Sequence, residues 1–166
     1  MNIRLGKKSD KKNYLKIQKE TFPKIDIKRD SKFFDEKIKE KEIFVLEDGK
    51  YYIGHICFGK HLFNPPFAGS VFIEELVVKE EFRGKGYGTA LINKLIAYCK
   101  KKKIMEIVLG TGDFSGNKVI KWYKKMGFKK VGKHWGLEDE NSEYDYGQIF
   151  YAIKVKDWRY LAKVFK

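Results

Sequence analysis

The most constraining stretch of the chain is residues 74–89, Glu-Glu-Leu-Val-Val-Lys-Glu-Glu-Phe-Arg-Gly-Lys-Gly-Tyr-Gly-Thr. It reads as a β-strand through Leu76, Val77 and Val78, a short turn, and a helix that begins just after Gly84. Leu91, Ile92, Leu95, Ile96 and Cys99 then share one helical face. The N-terminus of a helix offers amide N–H groups without intrahelical partners at the positive end of a dipole, so this turn is a candidate anion site. Gly84, Gly86 and Gly88 leave room for a diphosphate to approach the backbone, and Arg83 and Lys85 add charge that a phosphate can use.

Spacing excludes two common phosphate patterns. The glycines run Gly-x-Gly-x-Gly where a dinucleotide fold needs one more residue before the last, and no Gly-x-x-x-x-Gly-Lys-Ser/Thr occurs. Arg83, Gly86 and Gly88 instead fill Arg/Gln-x-x-Gly-x-Gly/Ala after an apolar strand. A second stretch, residues 115–128, follows an expected strand at 104–109. Its Asn117, Tyr123, Gly127 and Phe128 are similar to an Asn-x-x-Ala-x-x-x-Tyr-x-x-x-Gly-Phe signature, with Val119 or Ile120 where that signature has a small residue. On these two motifs the chain resembles the GNAT N-acetyltransferase family over nearly its whole length.

The resemblance implies an α/β, α+β-mixed fold, a central and mostly antiparallel mixed sheet with helices on both faces. It implies acetyl-CoA as donor, the pyrophosphate on Arg83, Gly84, Lys85, Gly86, Tyr87, Gly88 and Thr89, and the pantetheine arm paired like a strand along Leu76, Val77 and Val78. Asn117 then holds the pantetheine or caps its helix, and Tyr123 protonates the departing sulfur. A homodimer is an expectation by analogy.

Transfer to an amine also needs a base, because holding a lysine-like amine neutral at pH 7 costs about 4.6 kcal/mol for a pKa of ~10.4. Glu74 and Glu75 are the candidates. Side chains alternate along a strand, so one of the two should face the thioester unless a bulge intervenes. By similarity to an acidic family position, Glu74 is the expected base and Glu75 the expected acceptor ligand. The acidic run at 138–145 in an otherwise basic chain points to a small cationic acceptor such as a polyamine or an amino sugar, with a protein amine as the second reading. His134 and Trp135 are candidates for the acceptor pocket.

With 166 residues, 43% of them hydrophobic, the chain suits one domain spanning 1–166. Its formal charge of +14 raises nucleic-acid binding as a rival, but the lysines are spread over nearly every element, as on a solvated surface. A non-catalytic acyl-CoA sensor is the other rival. No apolar run reaches the length of a membrane span, so a cytoplasmic protein is expected. His55, His61 and His134 show no metal-ligand spacing, and Cys57 and Cys99 read as buried thiols, so no metal is expected.

The remaining elements follow in order. A strand at 3–5 precedes a helix capped by Ser9 or Asp10, with Tyr14, Ile17 and Phe22 on its apolar side before Pro23. A second helix follows Asp30-Ser31, with Phe33, Phe34 and Ile38 inward. Strands at 42–47 and 51–58 join through Asp48-Gly49-Lys50, a loop at Asn64-Pro65-Pro66 leads to a strand opened by Ser70, and the last strand spans 148–155.

Overall fold

Gly49 sits at φ +56°, the left-handed backbone that a two-residue hairpin loop demands. It joins β2 (Ile43–Asp48) to β3 (Tyr51–Lys60) in antiparallel register. The computed structural model describes residues 1–22, 26–60, 69–112, 116–134 and 147–158. The sheet is completed by β1 (Asn2–Leu5), β4 (Val71–Val78), β5 (Glu106–Gly112), β6 (Lys129–His134) and β7 (Gln148–Lys154), hydrogen-bonded in the order β1-β2-β3-β4-β5-β7-β6. The β4–β5 ladder is parallel, whereas β1–β2, β2–β3, β5–β7 and β6–β7 are antiparallel. Among the described residues four α-helices accompany it: α1 (Lys11–Thr21), α2 (Ile27–Glu40), α3 (Tyr87–Lys101) and α4 (Lys118–Lys125).

The chain divides into two compact units, and every ladder given by register lies within one of them. Residues 1–59 and 74–98 supply the first, residues 60–73 and 99–161 the second. In the first unit the β2–β3 ribbon is apolar on both faces. On one face Ile43, Val45 and Cys57 join Tyr14 and Ile17 of α1, Phe34 of α2 and Val77 of β4 in a single core. On the other, the rings of Phe44 and Phe58 meet Tyr98 of α3 at centroid distances of 6.0 and 5.2 Å. Helices therefore cover both faces of this ribbon.

Two contacts fix how the first unit closes. Gly54 on β3 lies so near β4 that an added Cβ would overlap the Val77 carbonyl oxygen and come within 3.1 Å of the Val78 Cα. Arg4 on β1 grips two carboxylates through paired N–H donors, Asp10 at 2.8 and 2.9 Å and Glu47 of β2 at 2.6 and 3.0 Å. Burial alone would raise the Asp10 carboxyl, but Arg4 and the Lys7 N–H outweigh it and hold Asp10 below the usual carboxylate range. Glu47 is lowered too, chiefly by Arg4.

In the second unit β7 lies between β5 and β6, and Ile107, Leu109, Tyr151 and Ile153 are buried. Tyr123 of α4 packs edge-on against Phe128 at 5.5 Å, and Phe128 meets Trp158 at 6.3 Å.

Several boundaries differ from expectation. Asp26, rather than Asp30 or Ser31, caps α2, accepting from the N–H groups of Lys28 and Arg29 at 2.9 and 3.1 Å. Asp10 flanks α1 without capping it, because its carboxylate is committed to Arg4 and Lys7. Phe22 is exposed instead of inward. α3 begins at Tyr87, not after Gly84, because Gly84 and Gly86 take φ +75° and +86°, outside any right-handed helix. β5 starts at Glu106 rather than 104: Lys103 turns left-handed at φ +56° and the Ile104 N–H closes α3 on the Cys99 carbonyl at 2.9 Å. Pro23, the 64–66 loop and the acidic run at 138–145 lie outside the described residues.

Gly54→Ala is expected to destabilise the protein by about 1–3 kcal/mol in urea unfolding, the usual cost of overpacking; no measurable change would mean that β3 and β4 are not held this closely. Arg4→Met is expected to flatten the acid limb of stability. A carboxylate with a depressed folded pKa stabilises above its unfolded value, ordinarily 3.8 for Asp and 4.5 for Glu, and loses that contribution as pH falls through the folded value. Urea midpoints from pH 6 to pH 2.5 should therefore fall less steeply in the variant; parallel curves would contradict the linkage.

Candidate active site

The site in the first unit begins on β4. Its parallel register with β5 covers Val71, Phe72 and Ile73, opposite Ile107, Val108 and Leu109, and stops before Glu74. Leu76, Val77 and Val78 lie beyond that register, with Val77 buried in the core and the Lys79 N–H donating to the Ile53 carbonyl of β3 at 3.0 Å. A single 3-10 turn, Glu80–Phe82, then leads to Arg83, whose Nε donates back to the Val78 carbonyl at 2.9 Å.

From Arg83 the backbone enters the glycine turn. Gly84 and Gly86 are both left-handed, and the space where a Gly84 side chain would stand is open for 4 Å. Left-handed residues in a turn before a helix can aim successive N–H groups toward one concavity, which suits an anion. Lys85 lies over the Phe82 ring at 5.6 Å, and Tyr87 meets the same ring edge-on at 5.9 Å. Gly88 and Thr89 occupy the first turn of α3. The glycines thus serve backbone conformation as well as clearance.

Glu74 and Glu75 occupy the same strand just upstream, and both reach the α1–α2 side. On β4 the buried positions are Val71, Ile73 and Val77, whereas Glu74, Glu75 and Leu76 are half-buried, so both carboxylates keep some access to solvent. Glu74 forms an ion pair with Lys37 of α2, and its Oε1 lies 3.2 Å from where a Gly59 Cβ would be. Lys37 is itself buried, bonded also to Glu42 at 3.1 Å and the Phe58 carbonyl at 3.2 Å, and it sits 5.3 Å from the Phe33 ring centroid. Burial would lower the Lys37 ammonium, but Glu74 and Glu42 together raise it.

Glu75 has a different company. The Tyr14 hydroxyl donates to its Oε2 at 2.9 Å, and the Gln18 Nε2 donates to the Tyr14 oxygen at 2.9 Å. His55 Nε2 faces the same Glu75 oxygen at 3.5 Å, while its Nδ1 is 3.0 Å from the Tyr52 hydroxyl. Burial pushes the Glu75 carboxyl up, yet His55 and Tyr14 prevail and hold it below its ordinary value. Tyr14 moves the other way, its phenol raised by burial and by the Glu75 charge. Asp30 of α2 is also raised by burial and by Glu75. The result is a charged carboxylate, 23% exposed, at the edge of an apolar core.

In the second unit Asn117 caps α4. Its Oδ1 accepts from the Val119 N–H at 3.1 Å, and its Nδ2 donates to Thr111 Oγ1 at 3.1 Å and the Gly112 carbonyl at 2.7 Å. Of its two expected roles, the cap is the one its contacts fill. Tyr123 is buried against Trp122 and Phe128, and burial raises its phenol. His134 ends β6 on an exposed edge, and Trp135 lies outside the described residues.

Tyr14, Gln18, Lys37, Tyr52 and His55 carry no motif in the sequence. The legible trace is polar residues within apolar faces: Tyr14 and Gln18 one turn apart on α1, and Lys37 beside Phe33, Phe34 and Ile38 on α2.

The chain is similar to known proteins. The model of the acetyltransferase (GNAT) family matches residues 12–128. An uncharacterized N-acetyltransferase of Methanocaldococcus jannaschii is 45% identical over 67 residues, 38% of this chain and 28% of that protein. Streptothricin acetyltransferase A of Bacillus subtilis is 33% identical over 76 residues, 43% of this chain and 44% of that protein. The chain thus matches less than half the length of either curated relative. A Salmonella typhimurium protein solved with its cofactor acetyl-CoA shares the fold, at a TM-score of 0.74 and 17% identity over 93% of this chain and 94% of that one. The matched region takes in α1, the glutamate pair, the glycine turn and the Asn117-to-Phe128 segment, and the chain belongs to the acetyltransferase (GNAT) family.

Proposed function

We propose that the protein, working as one domain, transfers an acetyl group from acetyl-CoA to a primary amine by direct attack. The observation that carries this reading is Glu75, faced by the Tyr14 hydroxyl at 2.9 Å and by His55 at 3.5 Å, on the strand that leads through one 3-10 turn into a glycine turn at a helix N-terminus. The diphosphate would rest on the amides from Gly84 to Thr89 with Arg83 and Lys85 beside it, and the pantetheine along Leu76, Val77 and Val78, past the end of the β5 register. Asn117 would act by holding the entry of α4 in place.

The amine nitrogen attacks the thioester carbon, and the oxygen that becomes negative accepts from the Leu76 or Val77 N–H. Glu75 takes the ammonium proton, through water that its exposed edge admits, and releases it to solvent as the C–N bond forms. The C–S bond then breaks, Tyr123 supplies the proton that leaves CoA as the thiol, and the second proton leaves the nitrogen through solvent, which restores the phenol. The Lys37 ion pair favours Glu75 over Glu74 as base, since Glu74 already balances a buried ammonium. Glu74 would instead set the field at the acceptor. The transfer requires no metal.

A small cationic amine is the preferred acceptor, and a protein amine the second. Glu75 is held as a carboxylate at this site, and the buried Gln18 Oε1 has no hydrogen-bond partner among the described residues, an acceptor suited to N–H donors. A relative named for streptothricin acetylation points the same way. Among the described residues no helix is long and apolar enough to cross a membrane, in keeping with the proposed cytoplasmic location.

The purified chain, given labelled acetyl-CoA, should release free thiol with polyamines or amino sugars and much less with lysine or N-terminal peptides. CoA binding without thiol release would make it a sensor, and steeply salt-dependent nucleic-acid binding with no CoA affinity would make it a nucleic-acid module. Glu75→Gln is expected to lower kcat by about 100-fold or more, the scale of general-base catalysis, and Tyr123→Phe by about 10-fold or more with acetyl-CoA affinity kept. Glu74→Gln should act mainly on the acceptor KM. If the two glutamate variants exchange these effects, Glu74 is the base.

A further inference from the structure

Beyond acetyl transfer, we infer that His55, Cys57 and Glu75 form a binding site for a thiophilic divalent cation, zinc above all. Their ligand atoms all lie within 4.8 Å of one another, although Glu75 lies 18 positions after Cys57 and 20 after His55 in the sequence. His55 and Cys57 stand two apart on β3 and so share a face, and β4 brings Glu75 to that face.

Two further features fit a metal better than a plain polar cluster. His55 is completely buried, yet its Nε2 makes no hydrogen bond, facing Glu75 Oε2 at 3.5 Å without the alignment of one. Ligands on a tetrahedral zinc stand roughly 3.3–3.6 Å apart, given zinc–nitrogen and zinc–oxygen distances near 2.0 Å and zinc–sulfur near 2.3 Å. The nitrogen and the oxygen already stand at that separation, and the sulfur lies within 4.8 Å of both.

The supporting contacts are also those a metal ligand requires. In the tautomer that donates Nδ1–H to the Tyr52 oxygen, with the Nε2 proton released to solvent as the ion binds, His55 presents its Nε2 lone pair to a metal seated between it and Glu75. The Tyr14 hydroxyl steadies the carboxylate from the opposite element. A thiolate, an imidazole and a carboxylate suit zinc, and the two negative ligands neutralise its charge, with the Cys57 proton leaving to solvent as the ion binds. The exposed side of Glu75 gives an entry path and a fourth position for water.

Occupancy would take Glu75 out of proton transfer, so the ion would inhibit; that consequence alone rests on the function proposed above. The test is titration of chelator-stripped full-length protein with Co²⁺. One equivalent is expected to raise a near-ultraviolet thiolate-to-cobalt band and the visible bands of a tetrahedral ion, both displaced by Zn²⁺. Cys57→Ser should lose the near-ultraviolet band and at least tenfold in affinity, while Cys99→Ser, which removes the other thiol, should keep both. X-ray absorption of the zinc-loaded wild type should show one sulfur near 2.3 Å, a readout that needs no variant to fold. Absence of the thiolate band, or its loss with Cys99 instead of Cys57, overturns the site. Zinc bound through Cys57 with the transfer rate unchanged would keep the site and refute Glu75 as the base.

Discussion

A carboxylate that must remain charged at the edge of an apolar core sets the terms for the first unit. An unpaired buried charge is far too costly to persist, so Glu75 is viable only with donors fixed around it. Tyr14 and His55 face it, and Gln18 and Tyr52 hold those two in turn. These four partners come from α1 and β3, so packing of the helix on the strand and ionisation of the carboxylate are one event. The close approach of Gly54 to Val77 serves the same end, since it sets how near β3 and β4 run.

The strand that carries this carboxylate also delivers the chain to the glycine turn. β4 is therefore under two demands, a core on one side of its course and a ligand-ready backbone at its end. It meets them by leaving Glu74 and Glu75 half-buried between Ile73 and Val77 and by outrunning its ladder with β5. Lys37 absorbs the charge of the second glutamate, leaving two neighbouring carboxylates with different neighbours and hence different chemistry. Environment, not residue type, distinguishes them.

Local signals in the sequence carried much of this. Asp48-Gly49-Lys50 announced its hairpin because a left-handed glycine has few other uses there, and the stripe from Leu91 to Cys99 announced α3, whose five residues are all fully buried. The two motifs led to the family. Helix starts were less legible: Asp26 and Asp30 offer equal side chains, and only the fold decides which one meets free N–H groups. Likewise α3 starts late because two glycines spend the intervening residues on positive φ. Least legible were Tyr14, Lys37 and His55, whose partners lie 61, 37 and 20 positions away in sequence at Glu75, Glu74 and Glu75. Contacts of that range leave no periodic trace, and a spacing rule for metal ligands passes over a site assembled from two strands.

The most direct measurement is a crystal structure of the protein with CoA bound. The diphosphate should lie on the amides between Gly84 and Thr89, with the thiol end running back along β4 to the Glu75 side. A diphosphate held elsewhere, or a sulfur on the face of β4 away from Glu75, would contradict a strand that both anchors the donor and presents the base.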